Sequence, residues 1–481
     1  MSSNSRFFFV LASVGAAIGL GGIWAYPYFS FKLTGLFFIP FMIALLILGF
    51  PLLLLEFSSA QFFDRNIVDL FASIRKWFSS IGWYMAFSAF IVMGYNAVTL
   101  AWNVIYLFAS FGLQWKEDAN KYFFSNVLQA SESFHGFAHF SLPVFIALIF
   151  AWVLIFFCVK NGFESLKRKF LFFIPALILL LLFFLTYSLL LENSLSGINA
   201  FLKPNFSSFL DIRLWLEAFS MAAASIGLSY GIFHSFARKT GKSFLIGNSL
   251  AIILFEVLAS ILLGMILFAI IGFVSLRQDI GVQGMAPSGL AYQFTTLAQG
   301  LAYLHMPVLI SLLFFTLLSI ILLMGVSSLA YSITHIFVHK FKTKHVNAAI
   351  IVAGFGFLFG LLFIIGPGFR IMDIVSHFAY YNILIALFLE TIAIGWFFET
   401  QKIADFINKN SLLKIGILWK FMIRYVIPFV LLLLILFRLK SDYLLNYSGD
   451  GWQYNLIFGV GIVAVPLIIA FLMPQKILDR K

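Results

Sequence analysis

Charge is what this chain has least of. Only 10% of its 481 residues are Asp, Glu, Lys or Arg, whereas 62% are hydrophobic, and the mean hydropathy is +1.03. That composition cannot cover a soluble domain with polar surface, so a cytosolic enzyme or a secreted module is excluded. Cysteine is almost missing too. The lone Cys158 lies in an apolar run, cannot close an intrachain disulfide, and is expected to be a core residue. Low-complexity segments and long polar linkers are absent from the sequence. The longest polar stretch, about 115 to 141, carries Lys116, Glu117, Asp118, Lys121, Glu132, His135 and His139 and reads as an external loop folded back over the protein. No HExxH motif or close nucleophile–base pair occurs, so the chain is not read as a membrane-embedded enzyme.

What fills the chain instead is apolar runs long enough to cross a bilayer, each needing roughly 20 residues for a hydrocarbon core about 30 Å thick. Twelve such runs are predicted, at 7–30, 36–62, 80–111, 142–161, 170–191, 213–238, 243–276, 300–338, 346–365, 370–399, 417–438 and 453–475. They are called spans 1 to 12 below. The fold class expected is therefore an all-α polytopic membrane protein. The net charge of +12 could suggest nucleic acid, but the basic residues are scattered between spans, and no nucleic-acid partner is expected. With the N-terminus cytoplasmic, inside segments hold 22 of the 31 Lys and Arg, clustered at Arg75-Lys76, Lys167-Arg168-Lys169, Arg238-Lys239 and Lys340 to Lys344, and outside segments hold nine. This asymmetry follows the positive-inside rule and predicts that both termini are cytoplasmic. Arg6 followed by "FFFVLASVGAA" imitates a secretory leader, but its removal would discard the first span and upset the even count. A bacterial inner membrane is the expected location.

Span 1 is glycine-rich where a helix should run smoothly. Gly15, Gly19, Gly21 and Gly22 precede Pro27, although each interior glycine costs roughly 1 kcal/mol against alanine. Span 6 carries a related pattern: Ala17-Ile18-Gly19-Leu20-Gly21 is echoed by Ser225-Ile226-Gly227-Leu228-Ser229, five spans later and so of opposite orientation. Paired glycine-interrupted segments in two inverted halves point to a secondary transporter's binding site. Backbone that leaves helical geometry at membrane depth must satisfy its freed N–H and C=O groups. Half-helix N-termini suit a carboxylate, and freed carbonyls suit a cation.

The stretch "VGAAIGLGGIWAYP" followed by "FFIPFMIALLILGFPLLLLEFSSAQ", with "ASIGLSYG" in span 6 and "MGVSSLAYS" in span 8, resembles the neurotransmitter:sodium symporters, the LeuT-type amino-acid transporters. The likeness covers spans 1 to 10. It implies a five-plus-five inverted repeat with broken spans 1 and 6, divided as residues 1–200 (spans 1–5), 201–400 (spans 6–10) and 401–481 (spans 11 and 12). It also implies sodium-coupled uptake of an amino acid by alternating access, as a monomer or weak homodimer.

Carried onto this sequence, the resemblance implies a second sodium site from Gly15, Ile18, Met324, Ser327 and Ser328. The first site would involve Ala17, Gly22, Ser225 and Glu256. Gly22 stands where the family usually has asparagine. A carboxyl in mid-span costs at least about 2.5 kcal/mol on insertion scales, so Glu256 is expected to be functional: an anionic sodium ligand, or a group that carries a coupled proton. Ser260 lies one turn beyond Glu256, and the family's chloride-binding tyrosine and glutamine align with Phe41 and Met221. Chloride independence is therefore expected.

For a zwitterionic substrate, the resemblance implies N–H groups around Leu20 and Gly21 at the carboxylate and carbonyls near Ala224, Ser225 and Gly227 at the ammonium. Either Tyr95 or Asn96 occupies the third-span tyrosine position, depending on a one-residue slip. Ala17, Ala224, Gly227, Tyr230, Ser328 and Ser332 would shape the side-chain space. Ala224 replaces an aromatic and enlarges that space, so an apolar or aromatic amino acid is expected. The outer gate departs from the family: its arginine becomes Ala25, and its acidic partner aligns near Val375 or Ser376, with Asp373 only nearby. Closure would fall to aromatics such as Trp24 and Tyr230. Glu56 matches a glutamate that braces the broken helices, and His335 and His377 read as satisfied polar residues. Two other readings are a proton or single-sodium coupling through Glu256, and a transport-incompetent sensor.

Overall fold

The computed structural model describes residues 10, 13–17, 37–131, 139–203, 206–238, 244–279, 281–282, 291–445 and 452–473. Among the described residues ten helices are long and apolar enough to cross a membrane: Phe38–Phe63, Lys76–Ala109, Leu142–Val159, Phe163–Leu189, Leu245–Arg277, Pro307–Phe341, His345–Phe363, Gly368–Phe397, Ile417–Asp442 and Trp452–Leu472. These correspond to spans 2 to 5 and 7 to 12. Of span 1, residues 13–17 are helical, buried and described.

Span 6 is missing from that set because it is broken. A helix covers Ile212–Ser225 and another Ile232–Ala237. Asp211 caps the first, its carboxylate accepting from the Arg213 N–H at 2.9 Å. Between the two, Gly227, Ser229 and Gly231 have φ of 78°, 61° and 70°, the left-handed region that interrupts a right-handed helix.

The other boundaries move for local reasons. Span 5 begins at Phe163, several residues before the hydropathy suggests, because Lys167-Arg168-Lys169 continue the helix at its polar end. Span 8 begins at Pro307 rather than 300, since proline suits the first turn and breaks an interior. Gln293–Leu297 and Ala298–Leu301 form separate short helical pieces before it.

Spans 3 and 7 form the centre, with 78% of their most apolar windows buried, whereas span 12 buries 17% and lies at the periphery. Hydroxyls and amides inside the spans mostly bond back to their own helix, as Ser88 does to Tyr84 O and Asn103 to Thr99 O. The loop after span 3 does fold back: Trp115 Nε1 donates to Ala298 O at 2.7 Å, and Phe140 pairs with Ile365 in an antiparallel bridge. Cys158 is buried as expected.

Candidate functional site

The broken segment of span 6 has freed backbone groups, and neighbouring spans take them up. Glu56 of span 2 accepts the Ser229 N–H on Oε1 at 2.6 Å, which is the bracing expected of it. Ser332 of span 8 donates its hydroxyl to Tyr230 O at 2.9 Å. Gly231 sits against the same hydroxyl, since a Cβ there would come within 2.9 Å of Ser332 Oγ. The break is thereby held between spans 2 and 8, with no lipid contact needed to satisfy it.

Span 8 reaches span 1 at Gly15 and Met324, two of the residues expected to hold the second sodium: a Cβ at Gly15 would overlap Met324 Cε, the far end of that flexible side chain. Ser328 Oγ donates to Met324 O at 2.8 Å. Ser327 Oγ is fully buried without a hydrogen bond of normal geometry, and the Cys158 thiol, a weak partner, stands beside it. Ala17 is buried in the helical stretch at 13–17, whereas Ile18, Leu20, Gly21, Gly22, Trp24 and Ala25 lie outside the described residues.

At the expected first sodium site, Ser225 Oγ is buried and has no hydrogen-bond partner. Glu256 Oε1 accepts from Ser260 Oγ at 3.4 Å, as the one-turn spacing predicted, and Glu256 Oε2 has no partner. Buried polar groups are normally satisfied. The unpartnered hard oxygens of Ser225 and Glu256, and the buried Ser327 hydroxyl with only a weak thiol partner, are of the kind a small alkali cation coordinates. Phe41 and Met221 are buried in the hydrophobic core.

Tyr95, Tyr230 and Tyr380 gather close enough for their phenols to act on one another electrostatically. Asn96 donates its amide to Val92 O at 2.9 Å and also bonds the Tyr95 phenol. Ala224 and Gly227 lie in the turn that ends the first half of span 6, where the Gly227 N–H donates to Ala224 O at 3.1 Å. Beside this cluster stands a pair that the sequence reading missed. Arg438 of span 11 bonds Glu217 of span 6 at 3.2 Å and lies over the Tyr380 ring, 4.8 Å from its centroid. It ties spans 6, 10 and 11 together. The signal was present for Glu217, a charge within an apolar run as Glu256 is, whereas Arg438 stands at the very end of span 11 as read from hydropathy.

At the expected outer-gate positions, Val375 is buried and Ser376 donates to Asp373 O at 3.0 Å. His335 Nε2 is 3.3 Å from Arg238 Nη1, and His377 Nε2 is 2.9 Å from both Asp442 oxygens. Both histidines are thus engaged, as expected.

The family model described as "Sodium:neurotransmitter symporter family" matches residues 2–122 and 114–478. The chain is 29% identical over 98% of its length to an uncharacterised sodium-dependent transporter of Methanocaldococcus jannaschii, of which it covers 97%. It is 25% identical to a sodium-dependent nutrient amino acid transporter of Drosophila virilis, covering 95% of this chain and 81% of that one. A human sodium- and chloride-dependent GABA transporter 2 is 24% identical over 84% of this chain and 74% of its own.

Proposed function

Because the chain belongs to the sodium:neurotransmitter symporter family, and is accordingly a transporter rather than an enzyme, we propose that it carries an apolar or aromatic amino acid inward with sodium by alternating access. The observation that carries this reading is the pair of unpartnered buried oxygens, Ser225 Oγ and Glu256 Oε2, on the broken span and its neighbour, with the weakly partnered Ser327 hydroxyl on span 8. In this reading Gly15, Ile18, Met324, Ser327 and Ser328 hold one sodium, and Ala17, Gly22, Ser225 and Glu256 a second. The substrate's carboxylate meets Leu20, Gly21 and Tyr95, and its ammonium meets the carbonyls of Ala224, Ser225 and Gly227. Tyr95 is favoured over Asn96 because its phenol lies near that of Tyr230. Tyr230, Ser328 and Ser332 then bound the side-chain space.

The reading includes the division into 1–200, 201–400 and 401–481, a bacterial plasma membrane, and both termini cytoplasmic. With that topology Arg438 and Glu217 lie toward the outside, above the tyrosines. They take over closure from the absent family ion pair. Glu256 beside Ser260 supplies the negative charge that chloride provides elsewhere, so transport is chloride-independent. Sodium bound between spans 1 and 8 favours the outward-open state, since a ligand shifts an equilibrium only by its differential affinity for the two states.

A second reading keeps the fold and couples a proton through Glu256, whose unpartnered Oε2 favours it. Thermal unfolding of the purified protein with each of the twenty amino acids, in NaCl or KCl and at two pH values, separates the two. Stabilisation that needs both sodium and one group of amino acids is the expected result. Stabilisation by an amino acid in KCl that varies with pH supports the proton, and no stabilisation in any condition refutes amino-acid transport.

A further inference from the structure

The second half of span 6 carries a titratable group that neither the sodium nor the substrate reading uses. His234 lies 1% exposed between two fully buried glutamates from different spans. Its Nδ1 is 3.4 Å from Glu56 Oε2, and its Nε2 is 3.7 Å from Glu390 Oε1. Ser59 Oγ is 3.4 Å from the same Nε2. Nevertheless Glu56 Oε2, His234 Nδ1 and both Glu390 oxygens make no hydrogen bond of normal geometry. Three ionisable groups therefore face one another, nearly dry, across spans 2, 6 and 10.

The other charged groups around this half-helix are paired elsewhere, and the Tyr331 phenol oxygen is buried without a hydrogen bond. Arg238, at its C-terminal end, reaches Asp64 at 3.4 Å and His335 of span 8 at 3.3 Å. Lys340 of span 8 pairs with Asp69 at 2.9 Å. Tyr331 of span 8 packs its ring against Phe236 and Phe163.

Charge decides what the cluster can hold. With a neutral imidazole, two ionised carboxylates would be buried together, and the Ser229 N–H supports only the one on Glu56. One proton on the imidazole turns the row into anion, cation, anion. A second on Glu390 leaves it neutral. An acid, a weak base and an acid in a buried row is a spacing that a proton fits.

We propose that Glu56, His234 and Glu390 form a proton-binding site, separate from the sodium and substrate sites, that when protonated fastens the second half of span 6 to spans 2 and 10. Its part in the cycle rests on the transport reading: as the half-helix swings away from span 10, His234 parts from Glu390 and water reaches the site. The closed site binds the protons and the open site releases them.

Thermal unfolding of the full chain in KCl from pH 6 to pH 9 tests the site through proton linkage, in a Glu256→Gln background so that this carboxyl adds nothing. The parent is expected to lose stability as pH rises, because the folded state holds protons that the unfolded chain gives up. Glu390→Gln and His234→Gln should each flatten that slope by about one proton per molecule. Equal slopes in parent and variants overturn the proposal. Should the variants not fold, infrared spectra of the Glu256→Gln protein in bilayers read the same group. A protonated-carboxyl C=O band at pH 6 that fades toward pH 9 is expected, and a band that is absent or insensitive to pH overturns the site. Sodium is absent throughout, so the outcome is independent of whether NaCl stabilises the protein.

Discussion

Replacing Gly231 by alanine tests whether the break in span 6 is held in place by span 8. Gly231 has φ of 70° and ψ of 6° and precedes the second half-helix. Alanine in that left-handed region costs about 1–2 kcal/mol. Its Cβ would also come within 2.9 Å of Ser332 Oγ, so the hydroxyl must shift, weakening a bond to Tyr230 O worth about 0.5–1.5 kcal/mol net. The two effects together predict a loss of about 2–3 kcal/mol for Gly231→Ala. Gly354→Ala is the control: nothing lies within 4 Å of its added Cβ, and alanine in a helix gains up to about 1 kcal/mol. The assay is thermal unfolding of both variants, of Ser332→Ala and of Gly231→Ala/Ser332→Ala. Removing the Ser332 hydroxyl removes the clash, so the double variant should lose about 1 kcal/mol less than the sum of the singles. Strict additivity, or a Gly231→Ala as harmless as Gly354→Ala, would refute the link between the break and span 8.

Two further substitutions address the ion site and the outer closure. Ser327→Ala removes a buried hydroxyl whose partner is the weakly bonding Cys158 thiol, so it should cost no more than about 0.5 kcal/mol in KCl while weakening NaCl stabilisation roughly tenfold in apparent sodium affinity, the effect of losing about 1.4 kcal/mol of ligation; sodium titration of the thermal shift checks both parts. Arg438→Ala should cost about 1–3 kcal/mol, because it leaves the partly buried Glu217 without its charged partner, whereas Arg438→Ala combined with Glu217→Gln should recover part of that loss in the same unfolding assay.

The spans were legible because hydropathy integrates over about twenty residues and tolerates local exceptions. The break in span 6 was legible for a different reason: glycine marks where its backbone leaves the helix, and Gly227 and Gly231 do adopt left-handed φ. Ser229 does so as well without being glycine, which residue type does not announce. The start of span 5 was hidden because Lys167-Arg168-Lys169 lower the hydropathy of a helix that runs straight through them.

What the sequence concealed most completely is pairing across the bundle. Glu217 and Arg438 lie 221 positions apart, and Glu56 and His234 are joined only through the fold. Each charge can be recognised singly as expensive in a membrane, but the partner that makes it tolerable depends on which helix faces share a depth. That distinction also separates the two clusters physically. Arg438 with Glu217 is a cation–anion pair that needs no proton, and it is partly open to water. Glu56, His234 and Glu390 carry two acids and one weak base, all buried, so their charge can balance only by taking protons. On the proposed closure and proton site, one end of span 6 is held by a fixed ion pair and the other by groups whose attraction depends on their protons. Acid and alkali should consequently act on the two halves of the broken span unequally.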